Sequence, residues 1–520
     1  MSQIAERPST ERAAQGIVPN GGPDPAADAL AATGQPSVAR RLRASWARHP
    51  DLTTVGLILA VGLIFRVALL YRIPPLFMQG DSQSFLTPGF DLARGLGFDP
   101  ILKRPLGYPL LVAVAILALG EDLRGLVFVQ AALGLVTVAA TYGIGRLAFG
   151  RLVGGLAAFS VAVGGQLLVY EHYILAESVF ACLLALAVLA LVAAVRSGGR
   201  SWRLVATGGV ALATASLFRP IAEVILPLLP VYFLATVRPP GRALSLTGVA
   251  VIGFVAMMVP AMVADIMLRG GISSGALGEH LLWRITRSDS GYITRDDIPR
   301  GEPDSPQAAA RRYVIRKAVD RTLPQEIFEG LRREQGLSSA EADSIMRAVA
   351  LEAMWRQGGR YVASTFRMSV ELFFGGDQHL GEVSKRAGEA RYINPQARQR
   401  TWFEDRVLHL GEPPSAAVEN EFDHAELLIS VYQPGRLSWL LAVGFVAGAV
   451  ATVVSVRHRP ALLLTLCVPP MLLANAALAG PEARFRYPLD PLIAVLAFGG
   501  LVWLARIGQR AVHRWRRHVG

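Results

Sequence analysis

The stretch TTVGLILAVGLIFRVALLYR, residues 53–72, decides the fold class of this chain. It is long and apolar enough to cross, as a helix, the roughly 30 Å hydrocarbon core of a bilayer. A span must be helical, because lipid offers no partner to free backbone N–H and C=O groups. The basic cluster Arg40–Arg43 precedes it and predicts a cytoplasmic N-terminus, so that the chain emerges outside after Arg72.

Similar apolar runs recur along most of the chain. The 520 residues are 52% hydrophobic and only 18% charged, with a mean hydropathy of +0.38, which is too apolar for a soluble protein of this length. We predict an all-α polytopic membrane protein with about ten transmembrane helices and further helices on the outer membrane face. The later spans are Leu123–Leu147, Val153–Tyr170, Ile174–Val195, Leu204–Phe218, Ile221–Val237, Leu244–Leu268, Leu437–Val456, Ala461–Ala479 and Tyr487–Ile507.

Charge and cysteine content narrow the function classes. The net charge of +12 and the pI near 10.1 are typical of orientation signals in membrane proteins, so we expect no nucleic-acid partner. The only two cysteines, Cys182 and Cys467, fall inside apolar runs and indicate packing residues, which excludes a disulfide framework or a thiolate metal site. Residues 1–45, rich in Ala, Pro and Gly, are predicted to be a disordered cytoplasmic tail.

The apolar stretch Tyr108–Leu119 is short, so it either crosses the membrane or lies at the interface. At the interface, it leaves every basic turn on the inside: Arg146/Arg151, Arg196–Arg203, Arg238/Arg242 and Arg457/Arg459. If it crosses, the first two of these turns move outside. The charges therefore favour the interfacial arrangement, in a multi-pass cell (inner) membrane protein with both termini in the cytoplasm.

This topology divides the chain into consecutive segments. A polar extracytoplasmic segment carries helical spacing of apolar residues at Pro306–Thr322 and Ala340–Phe374. The predicted segments are an N-terminal transmembrane module (46–268) with its first outer loop (73–122), the extracytoplasmic segment (269–435), the C-terminal transmembrane helices (436–508) and a basic cytoplasmic tail (509–520).

Ionisable residues near the predicted spans collect on the outer side. A charge at the centre of a membrane helix costs roughly 2.5–3.5 kcal/mol on insertion scales, so its depth is informative. On this topology Arg66, Arg219, Glu223 and Asp265 lie in the outer parts of their helices. The distribution indicates a polar cavity at the outer leaflet and argues against a substrate path through the midplane.

The first outer loop contains QGDSQSF at 79–85 and KRPLGYP at 103–109. Asp81 directly follows the first span, where it either accepts a proton from an acceptor hydroxyl or caps a short helix. Lys103 and Arg104 either bind a lipid phosphate or make ordinary headgroup contacts. We include Tyr108 of the same loop among the candidate substrate-binding residues.

Two further outer motifs carry candidate residues. In YEHYILAES at 170–178, Glu177 lies just inside the following helix, an expensive place for an unpaired carboxylate, which favours a functional role. Glu171 and His172, in the headgroup region, and Arg219 are further substrate-binding candidates. In PEARFRYPLD at 481–490, the two arginines either bind a phosphate or snorkel to headgroups; they are Arg484 and Arg486.

Together these motifs resemble the GT-C glycosyltransferases, specifically the bacterial branch related to protein O-mannosyltransferases and lipid A aminoarabinose transferases. The resemblance rests on Asp81 after the first span, RPLGYPLL at 104–111, ILAESVF at 174–180 and RFRYPLDP at 484–491, in that order. Trp355–Phe373 also resembles a helix that these proteins carry before their later spans. The likeness extends over most of residues 53–507.

The resemblance implies a GT-C-like helix bundle, a polyprenyl-phosphate-linked sugar donor, an outer-leaflet active site and an inverting transfer. Asp81 matches the catalytic acid of the family and Glu177 its second acidic position. Many relatives carry another acid directly after the first, where this chain has Ser82 and Gln83. Lys103 and Arg104 fall in the stretch that approaches the donor phosphate in relatives, and Arg484 and Arg486 match basic residues before the last span.

The leading hypothesis is a hexosyl- or pentosyltransferase with a lipid-linked sugar donor, a glycan or glycolipid acceptor and membrane lipid as partners. We expect no cofactor and no metal, because a polyprenyl phosphate is already a good leaving group and the sequence shows no convincing ligand cluster. A hydroxyl of a cell-envelope glycan is preferred to a protein acceptor, because no peptide-binding module is recognisable. The alternatives are a lipid or sugar-lipid transporter and a non-catalytic scaffold.

Overall fold

The computed structural model describes residues 49–70, 73, 75–76, 81–97, 104–269, 277–300, 305–375, 427–431 and 437–519. Over these ranges the regular structure is helical, and the β-type pairing is a single parallel bridge between Leu76 and Tyr173. The predicted all-α class is therefore confirmed. The first ten α-helices are α1 (Pro50–Leu70), α2 (Asp81–Ala93), α3 (Gly107–Leu119), α4 (Leu123–Ala148), α5 (Arg151–Ala162), α6 (Gly165–His172), α7 (Glu177–Arg196), α8 (Trp202–Phe218), α9 (Leu229–Thr236) and α10 (Pro240–Arg269).

The later helices divide into a polar group and an apolar group. The polar group is α11 (Leu277–Trp283), α12 (Pro306–Val319), α13 (Pro324–Arg333), α14 (Ser339–Arg356) and α15 (Gly358–Phe373). The apolar group is α16 (Ser438–Val454), α17 (Leu462–Leu478) and α18 (Asp490–Val519). The two polar stretches with helical spacing, Pro306–Thr322 and Ala340–Phe374, correspond to α12 and to α14 with α15. The helices α11 and α13 were not predicted from the sequence.

The helices include many that can cross a bilayer. Among the described residues, six stretches are long and apolar enough: Pro50–Leu70, Leu123–Ala148, Glu177–Arg196, Pro240–Met267, Val456–Leu478 and Ala483–His518. Shorter apolar helices occupy Gly107–Leu119, Arg151–Ala162, Trp202–Phe218, Pro220–Thr236 and Ser438–Val454. Every predicted span overlaps one of these stretches, which confirms a polytopic membrane protein. The count of about ten crossings and the interfacial position of α3 stay predictions.

Two predicted spans are interrupted helices. Val153–Tyr170 divides into α5 and α6, where a Cβ on Gly165 would lie 2.1 Å from the carbonyl oxygen of Ile429. Only glycine permits this backbone approach. Ile221–Val237 starts in the 3-10 helix Pro220–Leu228, which contains Pro227, and continues in α9. Proline lacks the N–H that a continuous α-helix needs, so the helix type changes there.

The polar group has a hydrophobic core of its own, which includes Leu282, Val314 and Met346. Arg284, in the π-helical turn after α11, connects this group to the apolar helices. Its fully buried side chain donates to the carbonyl oxygen of Ala476 in α17 at 2.8 Å and to Ser364 Oγ in α15 at 3.0 Å. The buried guanidinium therefore fixes α11 relative to the end of α17.

The bridge between Leu76 and Tyr173 brings the two candidate acidic segments together. The N–H of Leu76 donates to the carbonyl oxygen of His172 at 2.8 Å, and the N–H of Ile174 donates to that of Leu76 at 3.0 Å. Asp81 follows Leu76 by five residues and Glu177 follows Tyr173 by four. The bridge therefore connects the segments that lead into the helices begun by these two acids.

Candidate active site

Asp81 is the first residue of α2, and both oxygens of its carboxylate contact arginines. Arg104 Nη2 donates to Oδ1, and Arg484 Nη1 donates to Oδ2 at 2.5 Å. Among the described residues the carboxylate therefore bridges two guanidinium groups instead of capping the N–H groups of its own helix. Burial raises the pKa of Asp81, but the charges of Arg104 and Arg484 outweigh burial and lower the pKa to about 2.

Arg104 is held by the first turn of α2. Its Nε donates to Ser84 Oγ at 2.8 Å, and its guanidinium lies 4.9 Å from the centre of the Phe85 ring. Ser84 and Phe85 follow Asp81 by three and four residues, so all three side chains share one helix face. This face orients the guanidinium beside the Asp81 carboxylate.

Arg484 approaches Asp81 from the turn that precedes α18. Its Nε lies 2.6 Å from Glu482 Oε2 in an ion pair, and its guanidinium lies 5.0 Å from the centre of the Phe485 ring. Arg219 lies 4.6 Å from the same ring centre. Phe485 therefore contacts two guanidinium groups. This arrangement is favourable because the electron-rich face of an aromatic ring attracts cations.

Glu177, the first residue of α7, completes the group. Its Oε1 accepts from Arg219 Nη1 at 2.9 Å, and its side chain is 6% exposed. Arg219 follows α8 in an extended conformation, which directs the chain away from the helix at this point. We use "charged cluster" for Asp81, Arg104, Glu177, Arg219 and Arg484.

Tyr108 lies beneath the charged cluster and is fully buried. Its ring packs edge-on against Phe85 at 5.0 Å, and its hydroxyl donates to Gln130 Oε1 at 2.8 Å. The Nε2 of Gln130 donates to the carbonyl oxygens of Glu171 at 2.7 Å and Tyr173 at 3.0 Å. One buried amide on α4 therefore joins α3 to the segment that leads into Glu177.

Glu171 and His172 are both buried, and Glu171 pairs with a residue outside the charged cluster. Glu171 Oε1 accepts from Arg66 Nη2 at 2.5 Å. A Cβ on Gly134 would lie 1.9 Å from Glu171 Oε1, so α4 leaves room for this pair only through a glycine. These contacts give Glu171 a clear role in helix packing. Substrate binding by Glu171 and by His172 stays a prediction.

Arg486 faces away from Arg484 although only one residue separates them. Its Nε donates to Asp490 Oδ1 at 3.0 Å and its Nη1 to the carbonyl oxygen of Gly375 at 3.2 Å. It borders a cavity of about 20 Å³ beside Gln166, which is room for about one water molecule. Lys103, the remaining candidate, lies outside the described residues.

Two groups near the charged cluster were not predicted from the sequence. Although the side chain of His280 in α11 is exposed, partial desolvation and the positive charges of Arg104, Arg484 and Arg219 lower its pKa to about 4, against the opposing charge of Asp81. Phe485 has the ring that contacts both Arg219 and Arg484. The motif RFRYPLDP contains Phe485, but no local pattern distinguishes it from the other aromatic residues, and His280 lies in no motif.

Metal ligands do not converge in the part of the chain that the structure describes. No group of three His, Cys, Asp or Glu side chains there has the geometry to hold a metal ion. The charged cluster instead pairs carboxylates with guanidinium groups. Carboxylates can accept protons and guanidinium groups can bind anions, so these roles stay predictions for Asp81, Glu177 and the arginines.

A helical membrane fold with a carboxylate between two arginines is consistent with the transferase class suggested by the motifs. Residues 103–263 match the sequence profile of a family described as dolichyl-phosphate-mannose-protein mannosyltransferase. The match confirms the resemblance to GT-C glycosyltransferases. It spans less than a third of the 520 residues and includes Arg104, Tyr108, Glu177 and Arg219. Among curated proteins, none matches the chain by sequence.

Solved structures of two membrane transferases are similar at low identity. The oligosaccharyltransferase AglB from Archaeoglobus fulgidus, in complex with an inhibitory peptide and a dolichol-phosphate, is 13% identical, with a TM-score of 0.43 over 90% of this chain and 52% of that chain. ArnT from Cupriavidus metallidurans, bound to undecaprenyl phosphate, is 12% identical, with a TM-score of 0.38 over 86% of this chain and 78% of that chain. The present chain thus spans about half the length of the archaeal protein.

Proposed function

We propose that the protein is an inverting glycosyltransferase that moves a sugar from a polyprenyl-phosphate donor to a hydroxyl group of a cell-envelope glycan or glycolipid. The observation that carries this proposal is the Asp81 carboxylate held between Arg104 and Arg484. A proton acceptor beside two phosphate-binding groups is what a displacement at a sugar phosphate requires. The family match over residues 103–263 supports the same reaction class.

The reaction is a single displacement at the anomeric carbon. The acceptor oxygen attacks this carbon and loses its proton to the Asp81 carboxylate, while the bond between the carbon and the phosphate oxygen breaks. The electron pair of that bond leaves with the polyprenyl phosphate, and Arg104 and Arg484 stabilise the added negative charge. Attack opposite the leaving group inverts the anomeric configuration. Glu177 accepts a hydrogen bond from Arg219 and in this way orients that arginine beside Phe485.

The lipid tail of the donor would lie along α3. This helix starts three residues after Arg104 and leaves apolar side chains exposed at intervals of four and three residues, namely Leu110, Val114 and Leu117. Such a face suits a polyprenyl chain in the outer leaflet. In this orientation residues 269–435 are extracytoplasmic and both termini are cytoplasmic, as the basic turns predict.

Mass spectrometry of lipid-linked sugars and envelope glycans tests the proposal. Membranes from cells with the unaltered protein are compared with membranes from cells that lack it. We expect accumulation of one polyprenyl-phosphate sugar and a glycan that lacks that sugar when the protein is absent. Identical lipids and glycans in both would contradict the proposal. Movement of a sugar lipid across sealed vesicles without a new glycosidic bond would instead support a transporter.

A further inference from the structure

We propose that the donor phosphate and Asp81 compete for the same two guanidinium groups, so that Asp81 becomes an effective base only after the donor has bound. This inference rests on the proposed function and adds a control step to it. It assigns two successive tasks to Arg104 and Arg484: each holds Asp81 before the donor arrives, and each holds the phosphate afterwards.

Asp81 is poorly suited to accept a proton in its present surroundings. Each of its oxygens accepts a charged hydrogen bond, from Arg104 on one side and from Arg484 on the other. Charged hydrogen bonds of this kind stabilise the ionised form and so weaken a carboxylate as a base. A general base works best when its pKa lies near the working pH, and the pKa of Asp81 at about 2 lies far below any physiological pH.

Each arginine is anchored at a point other than Asp81. Arg104 is anchored by its Nε at Ser84 Oγ, and Arg484 by its Nε at Glu482. Phe85 and Phe485 support the faces of the two guanidinium groups. The anchored Nε atoms leave the terminal nitrogens as the groups that exchange one anion for another. A small shift of these nitrogens is enough to transfer them from the carboxylate to a phosphate.

The charges of the site favour competition over simple addition. Among the residues that the structure describes here, Asp81, Glu177 and Glu482 balance the three arginines of the charged cluster, with Glu177 engaged by Arg219 and Glu482 by Arg484. An arriving phosphate therefore draws positive charge away from Asp81. The carboxylate loses partners, its affinity for a proton rises, and the acceptor hydroxyl can then be deprotonated as it attacks.

Reciprocity of coupled binding gives a direct test. If phosphate weakens the hold of the arginines on Asp81, removal of the Asp81 charge must strengthen the binding of phosphate by the same factor. The probe is sugar-free polyprenyl phosphate, titrated into the full-length protein in lipid nanodiscs. We expect Asp81→Asn to bind this lipid about tenfold more tightly than the unaltered protein, within the usual range of such couplings.

Two matched variants make the result specific. Asp81→Glu keeps the charge, so its affinity should not show the tenfold gain expected of Asp81→Asn. Glu121→Gln removes a carboxylate whose ion pair with Arg94, at 2.5 Å, is exposed and lies outside the charged cluster, so its affinity should also be unchanged. Equal or weaker binding by a folded Asp81→Asn variant would overturn the inference. Absence of binding by every variant would count against the proposed donor class itself.

A second measurement uses the unaltered protein and does not depend on the folding of a variant. The pH dependence of kcat reports the base in the complex with substrate, whereas that of kcat/KM reports the free enzyme. Competition predicts that kcat falls on the acid side at a pH well above 4. A kcat that stays constant down to pH 4 would show that Asp81 keeps both arginines throughout the reaction.

Discussion

At the scale of single residues, the central feature is that one guanidinium group contacts several different partners at once. Arg104 contacts a carboxylate, a hydroxyl and an aromatic ring at the same time. A planar guanidinium can do this because its donors point in fixed directions, whereas an ammonium is a single point charge. The charge alone therefore does not define the role of this residue.

Arg104→Lys should reduce kcat/KM by roughly 100-fold, because a lysine keeps the charge but loses the bond to Ser84 and the planar contact with Phe85. Transfer assays with the donor identified by mass spectrometry would measure the loss. Arg94→Lys, in the exposed pair with Glu121, is the control and should leave kcat/KM within about twofold. Equal rates for both variants would show that Arg104 supplies only charge.

The lowered pKa of His280 predicts how the stability of the folded protein depends on pH. Its folded-state pKa of about 4 lies below the ordinary value of 6.5, because partial desolvation of this exposed side chain and the charges of Arg104, Arg484 and Arg219 oppose its protonation, while Asp81 favours it. Between these two values the unfolded chain binds the additional proton, so stability rises as pH rises from 4 to 6.5 and is lost as pH falls.

His280→Gln should therefore lose less thermal stability than the unaltered protein between pH 7 and pH 4.5. Melting temperatures in detergent at several pH values would measure this difference. His513→Gln, in the exposed end of α18, is the matched control and should follow the unaltered protein. If His280→Gln shows the same pH dependence as the unaltered protein, His280 does not face the arginines in solution.

The sequence predicts the charged residues of the site better than their partners. Asp81, Arg104, Glu177, Arg219 and Arg484 were all candidates, because a charge near a span is costly and therefore conspicuous. Their pairing was not predictable, since Arg484 meets Asp81 across 403 positions of the chain. Glu171 carried the same signal as Glu177, yet it pairs with Arg66 inside the helix bundle.

At the scale of helices, α4 holds the site together through Gln130. Its amide satisfies a hydroxyl on α3 and two backbone carbonyls in the segment between α6 and α7. These groups are buried, so removal of the amide would take one hydrogen-bond partner from each, although the Tyr173 carbonyl oxygen would still accept from the N–H of Leu175 at 2.9 Å. An unpaired buried group of this kind costs about 1–3 kcal/mol.

Gln130→Met, which keeps the shape but not the hydrogen bonds, should lower the melting temperature and reduce kcat at unchanged KM. The reason is that Tyr108 and Glu177 lose their common support. Thr141→Val is the control on the same helix, because Thr141 is equally buried but bonds only to the carbonyl oxygen of Thr137. A reduced kcat in Gln130→Met beside an unchanged kcat in Thr141→Val would support the positioning role, whereas full activity in Gln130→Met would exclude it.

Most helices were predictable because apolar length is a strong signal in a membrane protein. The interruptions were harder to predict. Gly165 marks a break because its backbone touches Ile429, which lies more than 250 positions away. The short helices α11 and α13 were missed, since seven and ten residues hold too few turns to show a clear period.

At the scale of the whole molecule, orientation is the prediction that connects fold and function. The charged cluster serves a polyprenyl-phosphate donor of the outer leaflet only if residues 269–435 lie outside the cytoplasm. The two native cysteines are fully buried, so introduced cysteines can report the side of the membrane without background labelling.

A membrane-impermeant thiol reagent should label Arg333→Cys in intact cells, because this position in the polar helices is 82% exposed. The same reagent should label Trp515→Cys only after the cells are opened, although that side chain is 65% exposed. The reverse pattern would place the charged cluster on the cytoplasmic side and contradict the proposed donor. The basic turns in the sequence predict this orientation, whereas helix packing by itself is compatible with either orientation.

The most direct test of the central claim is the transfer rate of Asp81→Asn. Asparagine keeps the shape of the side chain but cannot accept the proton, so we predict a loss of at least about 100-fold, the usual contribution of a general base. The variant should still fold and still bind polyprenyl phosphate, and Glu121→Gln should remain fully active. A folded Asp81→Asn variant that transfers sugar at the rate of the unaltered protein would contradict the account.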